Sequence, residues 1–240
     1  MGYLLPMLMV RFTNTLKILT LLVVTLGSGL SAQAKIPAYG TDCELLLLKM
    51  REGYLGEEKG QSRELADLVV PYLRQAQTKP LQVTFDKQGR VLDANKQPVD
   101  TANRRFIFVV TKKGKVLLLD RETLENARHS SMVAGEEVWM AGHLVIDNGV
   151  ITEVTNASGH YFPSVEHTAA FLRWLAANGV DVKSIYVSLR GVRKGKTAVK
   201  SRLATEFGIP VRNIFFELDG ANAAAMTSKF FNADQGNGWF

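Results

Sequence analysis

Val138-Trp139-Met140-Ala141-Gly142-His143-Leu144-Val145-Ile146-Asp147-Asn148-Gly149-Val150-Ile151-Thr152-Glu153-Val154 reads as two strands folded back about one turn. Asn148-Gly149 decides this. Both residues tolerate positive φ, which a type I′ hairpin needs at both central positions. By simple alternation Val138, Met140, Leu144 and Ile146 share one face of the first strand. Trp139, Ala141, His143 and Val145 share the other.

The chain upstream and downstream fits a sheet built on this hairpin. Residues 106–110 and 116–119 are continuous apolar runs about Lys112-Lys113-Gly114-Lys115, as expected of strands covered on both faces. Leu81, Val83 and Phe85 alternate with polar residues, followed by a turn at 86–89 and a short return at 90–92. Downstream, Ser164 caps a helix whose stripe is Val165, Ala169, Leu172, Leu175 and Ala176, stopped by Gly179. A strand at 185–190, a helix at 197–207 and a strand at 213–218 then imply a βαβ unit with a right-handed crossover. Near the N-terminus two helices are expected, over 41–52 behind Thr41 or Asp42 and over 62–76 behind Ser62. Pro71 should kink the second. The fold class is α+β, an antiparallel β-rich central module with flanking helices and a C-terminal βαβ unit. The expected divisions are 1–34, 35–104, 105–190 and 191–240.

Composition narrows the function classes. Apolar residues make up 46% and charged residues 22% of the 240, which is globular. The formal charge is +6, and Arg11 and Lys17 near the N-terminus account for two of these charges. The remaining excess is mild, not the dense basic stripe of a nucleic-acid binder, so no specific nucleic-acid partner is expected. Arg11 and Lys17, the apolar run 18–26 and Ala32-Gln33-Ala34 follow the pattern of a secretory signal peptide cleaved after Ala34. That run is shorter than the roughly 20 residues a membrane span needs, and no later stretch spans. Secreted or periplasmic location follows as the expectation. Cys43 is the single cysteine, which excludes an intramolecular disulfide and reads as a small buried hydrophobe.

The residues with chemical capacity gather around the hairpin. Arg128-His129-Ser130-Ser131-Met132-Val133-Ala134-Gly135 precedes it and Ser158-Gly159-His160-Tyr161-Phe162-Pro163 follows. His129, Ser130, Ser131, His160 and Tyr161 would supply a general base, a hydroxyl nucleophile and an orienting phenol if the sheet brought them together. The bland alternative is that they tie strand ends to loops. No metal set is expected, because no histidine spacing is diagnostic, and no cofactor is implied. Gly191-Val192-Arg193-Lys194-Gly195-Lys196-Thr197 resembles a phosphate loop but has three residues between its glycines where four are needed. Lys194 and Lys196 remain candidates for holding an anion at a helix start. Asn156-Ala157-Ser158 fits a glycosylation sequon.

The pattern from Phe106 to Val187 carries a resemblance. His129-Ser130-Ser131 with Ala134-Gly135, then Ala141-Gly142, Asn148-Gly149, Ser158-Gly159-His160-Tyr161 with Pro163, and Asn178-Gly179-Val180-Asp181 recur together. They resemble a module at the C-termini of bacterial polymorphic and secretion-system toxins, and the central region of plant calmodulin-binding proteins that carry an IQ motif. The resemblance implies an extended β-module with a following helix and no mechanism. No stretch of this sequence reads as a convincing IQ helix. Two functions follow as expectations. The first is an exported bacterial effector-like or interaction protein, with a protein partner in a host or competitor cell. The second is a secreted transferase or hydrolase, for example ADP-ribosyl-transferase-like, with the two motifs as its site.

Overall fold

The computed structural model describes residues 47–217. The 18–26 run, Cys43 and the tail after Lys229 lie outside the described residues, as do the cleavage pattern and the start of the 41–52 helix. The described strands form one mixed sheet: β1 (Gln82–Phe85), β2 (Val91–Leu92), β3 (Phe106–Thr111), β4 (Val116–Leu119), β5 (Val138–Asp147), β6 (Val150–Thr155), β7 (Tyr186–Leu189) and β8 (Ile214–Phe216). Their order is β2-β1-β4-β3-β5-β6-β7-β8. From β2 through β6 neighbours are antiparallel, while β6, β7 and β8 run parallel. The parallel strands need crossovers, and these are the two long helices. α2 (Val165–Ala177) joins β6 to β7, and α3 (Lys196–Phe207) joins β7 to β8. The helix α1 (Gln75–Thr78) is a single turn before β1. The architecture is α+β and β-rich, and β1 and β2 share the sheet with the later strands.

The hairpin forms as its turn pair dictates. Asn148 has φ +44° and Gly149 φ +89°, and Asp147 pairs with Val150. Gly149 is also locked from outside, its N–H donating to the Val99 carbonyl at 2.6 Å and its carbonyl accepting from Val91 at 2.7 Å. The face assignment of β5 needs one correction. Val138 lies with Ala141, not with Met140 and Leu144. The ladder to β3 slips between Val110 and Thr111, so Thr111 opposes Val138 while Val110 opposes Met140. The bulge at Trp139 reverses the alternation.

Two layers cover the sheet. On one face Phe108, Val110, Met140, Leu144 and Val154 pack against Phe171, Trp174 and Leu175 of α2 and Leu203 and Phe207 of α3. Ser164 starts α2 as expected, its Oγ accepting from the N–H groups of Glu166 and His167. On the other face Ile107, Val109, Leu117, Leu119, Val138 and Ala141 pack against Met132 and Tyr161, with Leu48 and Met50 beside them.

That second cover corrects the N-terminal reading. Residues 47–51 are extended, with a bridge from Leu48 to Val138. Residues 62–74 form turns and extended chain where a helix was expected. Pro71 lacks an N–H and keeps the preceding residue out of the helical region. The chain gains more from lying across the sheet than from one helical face: Val70 is fully buried, Leu73 donates its N–H to the Ser131 carbonyl, and Val69, assigned to the apolar stripe, is 53% exposed. Residues 47–74 form a strap, without α-helix, over the face that carries the two motifs.

Candidate functional site

The Arg128–Gly135 stretch becomes a 3-10 turn, His129–Val133, closed by Ala134 and Gly135 at positive φ. The turn puts His129, Ser130 and Ser131 under the strap, all buried. His129 Nε2 donates to the Gly142 carbonyl at 2.8 Å and sets its ring edge-on to His143, with centroids 5.4 Å apart. Ser131 Oγ accepts from the Arg128 N–H at 2.9 Å. Ser130 Oγ is fully buried and has no hydrogen-bond partner among the described residues.

The Ser158–Pro163 stretch sits beside it at the C-terminal end of β6. His160 is buried, its Nε2 is 2.6 Å from Glu57 Oε2, and its ring stacks on Tyr54 with centroids 4.0 Å apart. Its carbonyl accepts from the Arg51 N–H at 2.8 Å. Glu57 has no exposed surface, and its other carboxylate oxygen accepts from the Tyr72 hydroxyl at 3.3 Å. Tyr161 donates to the Glu136 carbonyl at 2.8 Å. Burial, then the Glu57 carboxylate, pushes the Tyr72 phenol well up. Burial does the same to Tyr161, with the neighbouring Tyr72 and Glu57 adding to it. Neither phenol is a base at neutral pH.

The structure therefore gathers His129, Ser130, Ser131, His160 and Tyr161 into one layer and seals it with the strap. Sequence reasoning missed the strap's own residues: Arg51, Tyr54, Glu57 and Tyr72. Glu57 and His160 are 103 positions apart, and nothing in the pattern of 47–74 marks a carboxylate for burial. Three glycines at 53, 56 and 60 were the available signal, since Gly56 and Gly60 sit at positive φ where the strap turns.

Two other expected sites take definite places. Lys194 is exposed on the loop before α3, and Gly195, at φ +68°, caps that helix. Lys196 and Lys200 place their ammonium groups 5.5 and 5.7 Å from the Phe216 ring centroid. Asn156 of the sequon is buried. Its amide donates to the Pro163 and Arg190 carbonyls, and its Oδ1 accepts from the Arg190 N–H at 2.6 Å. It ties β6 to β7, so the folded chain does not offer it for glycosylation. Among the described residues no His, Cys, Asp and Glu group is placed to hold a metal ion, and no helix is long and apolar enough to cross a membrane.

The buried histidines give the layer a pH signature. Burial lowers His129 from its ordinary 6.5 to about 4, and the nearby His160, Arg121 and Arg128 add to this against the Gly142 hydrogen bond. Burial, then His129 and the surrounding arginines, lowers His143 well below its ordinary value. Between about pH 6.5 and 4 the unfolded chain binds a proton at His129 that the folded chain refuses, so stability rises with pH in that window. Urea unfolding should show a loss of about 2 kcal/mol between pH 7 and pH 5 from His129, with His143 acting in the same direction. A flat profile there would mean that the histidines are solvated.

With the geometry in place, the comparisons decide between the two sides of the resemblance. Residues 79–168 match the IQ motif-containing protein middle domain. The IQ domain-containing protein IQM2 of Arabidopsis thaliana is 30% identical over 138 residues, 55% of this chain and 22% of that protein. The Arabidopsis IQ domain-containing protein IQM3 is 39% identical over 83 residues, 35% of this chain and 18% of that protein. The chain thus spans about a fifth of the length of the curated relatives it matches. No solved structure matches it. The matches carry the plant IQ-motif side of the resemblance. They overturn the exported bacterial effector, the secreted transferase or hydrolase, and the secreted or periplasmic location inferred from a signal peptide, and they give no support to a partner in a host or competitor cell.

Proposed function

We propose that the chain is a protein-interaction module, and that its two signature motifs hold the strap to the sheet instead of carrying a reaction. One observation carries this reading. Apart from Ser130 Oγ, each motif side chain singled out in the sequence is spent inside the fold, on the Gly142 and Glu136 carbonyls, the Arg128 amide and the strap's Glu57. The match to the middle domain of IQ motif-containing proteins supports a protein partner.

The partner is an acidic protein, with calmodulin the first to test because the resemblance to IQ-motif calmodulin-binding proteins implies it. Contact runs through the exposed basic loop of Arg193 and Lys194 with Lys196 at the head of α3. Charge of one sign on such a loop steers an acidic partner and sets its orientation. Titration of calmodulin into the chain, with calcium and with chelator, should give a saturable complex in one condition. The Lys194→Gln/Lys196→Gln variant should bind about tenfold more weakly. Dilution heats alone in both conditions overturn the calmodulin assignment. The interaction reading falls too if His129→Ala and His160→Ala keep the wild-type melting temperature, because the motifs would then be free for chemistry.

A further inference from the structure

Among the described residues, one aromatic side chain stands on a left-handed backbone: Phe162, at φ +46°. The other non-glycine residues at positive φ are alanine, asparagine and lysine. A bulky side chain meets a steric cost in that region, where glycine and asparagine sit more easily. Full burial does not explain the choice, because Phe162 is 50% exposed. Strain held without that return is a mark of functional positions.

The turn that presents the ring is firmly tied. The Phe162 N–H donates to the Ser158 carbonyl at 2.9 Å. The following carbonyl, of Pro163, accepts from the buried Asn156 amide at 2.8 Å. The same Asn156 side chain holds the Arg190 backbone through its amide and its Oδ1. One residue therefore joins the motif turn after β6 to the chain leaving β7.

Three elements meet at the Phe162 ring. It rests on Gly191, where a Cβ would lie 2.9 Å from its Cζ. Arg51 of the strap sets its guanidinium 5.9 Å from the Phe162 ring centroid and 5.8 Å from that of Tyr54. Its Nη1 donates to the Gly159 carbonyl at 3.2 Å. Arg193 and Lys194, both exposed, follow Gly191 by two and three residues. An exposed aromatic ring on a tied turn, with guanidinium beside it, has the composition of an interface anchor.

We propose that Phe162 is the apolar anchor of the acidic-partner contact. It enters a pocket on that protein, and carboxylates around the pocket engage Arg51, Arg193 and Lys194. This rests on the interaction reading above and gives it a centre. Charge on a loop steers the encounter, while a ring buried on docking adds affinity that salt does not screen. The partner is a folded acidic surface and not a bilayer, since one ring offers too little apolar area to hold a membrane.

The test uses the whole chain and two random copolymers of equal length and charge, glutamate with tyrosine and glutamate with alanine. Binding is read by fluorescence anisotropy. Wild type should bind the tyrosine copolymer about tenfold more tightly than the alanine one. Phe162→Asn should bind both alike. Lys194→Gln/Lys196→Gln should weaken both and keep the preference. Phe162→Asn should also keep or raise the melting temperature, because asparagine accepts the left-handed backbone. A fall of more than about 4 °C would mean that the ring is there for packing, and overturns the proposal. Equal binding of both copolymers by wild type overturns the anchor and leaves the acidic-partner reading standing. Binding of neither overturns both, and phosphatidylserine vesicles that then bind would assign the patch to a membrane surface instead.

Discussion

Gly142→Ala should leave little folded protein at 25 °C. A Cβ at this position would lie 1.9 Å from the Thr155 carbonyl oxygen and 2.9 Å from its carbon, with the Phe108 ring at 3.2 Å. The first two are backbone atoms of the neighbouring strand β6, so no rotamer change relieves them. The ladder must separate where β5 and β6 pair through His143 and Thr155. The Gly142 carbonyl also anchors His129, so the clash reaches the motif layer directly. Losses above about 4 kcal/mol are exceptional and come from such unavoidable overlaps. Circular dichroism and a urea melt of the purified variant would read this. A cooperative melt within about 1 kcal/mol of wild type would mean that β5 and β6 are not this close.

The second large effect is at the Glu57–His160 contact under the strap. Glu57 and His160 have side-chain exposures of 0% and 5%. Glu57→Ala should cost about 3–5 kcal/mol, because it leaves the imidazole buried without its partner. For a folded region of this size each kcal/mol lowers the melting temperature by about 2–4 °C. His160→Ala should cost a similar amount and also lose the stack on Tyr54. The informative variant is the double replacement Glu57→Leu/His160→Leu. Buried ion pairs are often matched by apolar residues of similar volume, so the double variant should recover most of the loss. If the singles are harmless, the strap is not fastened by this pair. If the double variant is as unstable as the singles, its losses come from packing and not from an unpaired charge.

The sheet was legible where local chemistry and burial agreed. The Asn148-Gly149 turn, the runs over β3 and β4, and the Ser164 to Gly179 limits of α2 each have a cause within a few residues. The same holds for α3, which ends at Gly208 as its glycine and Pro210 predict. The bulge at Trp139 was not legible, because alternation has no term for one inserted residue. The strap was misread for a different reason. Leu65, Leu68, Val69, Tyr72 and Leu73 have helical spacing, but the Leu73 N–H goes to the Ser131 carbonyl of the motif turn and the Val70 N–H to the Glu57 carbonyl, bonds that a helix would have replaced. The motifs were found as a group, and their residue types were compatible with catalysis. Residue type cannot show which way a donor points, and here His129 and Tyr161 donate into backbone and His160 binds the strap's carboxylate.

The fastening of Glu57 to His160 also orders events during synthesis. The strap is made first, and its seat is completed only when the Ser158–Pro163 stretch follows, 103 residues after Glu57. At synthesis rates of about 5–20 residues per second that interval is about 5–20 s. Through it the emerging chain holds Glu57 without His160, and Leu48 and Met50 without the Tyr161 ring of their cluster. The strap cannot be fastened through Glu57 until residue 160 has been made, and a chain cut short before His160 lacks that fastening altogether.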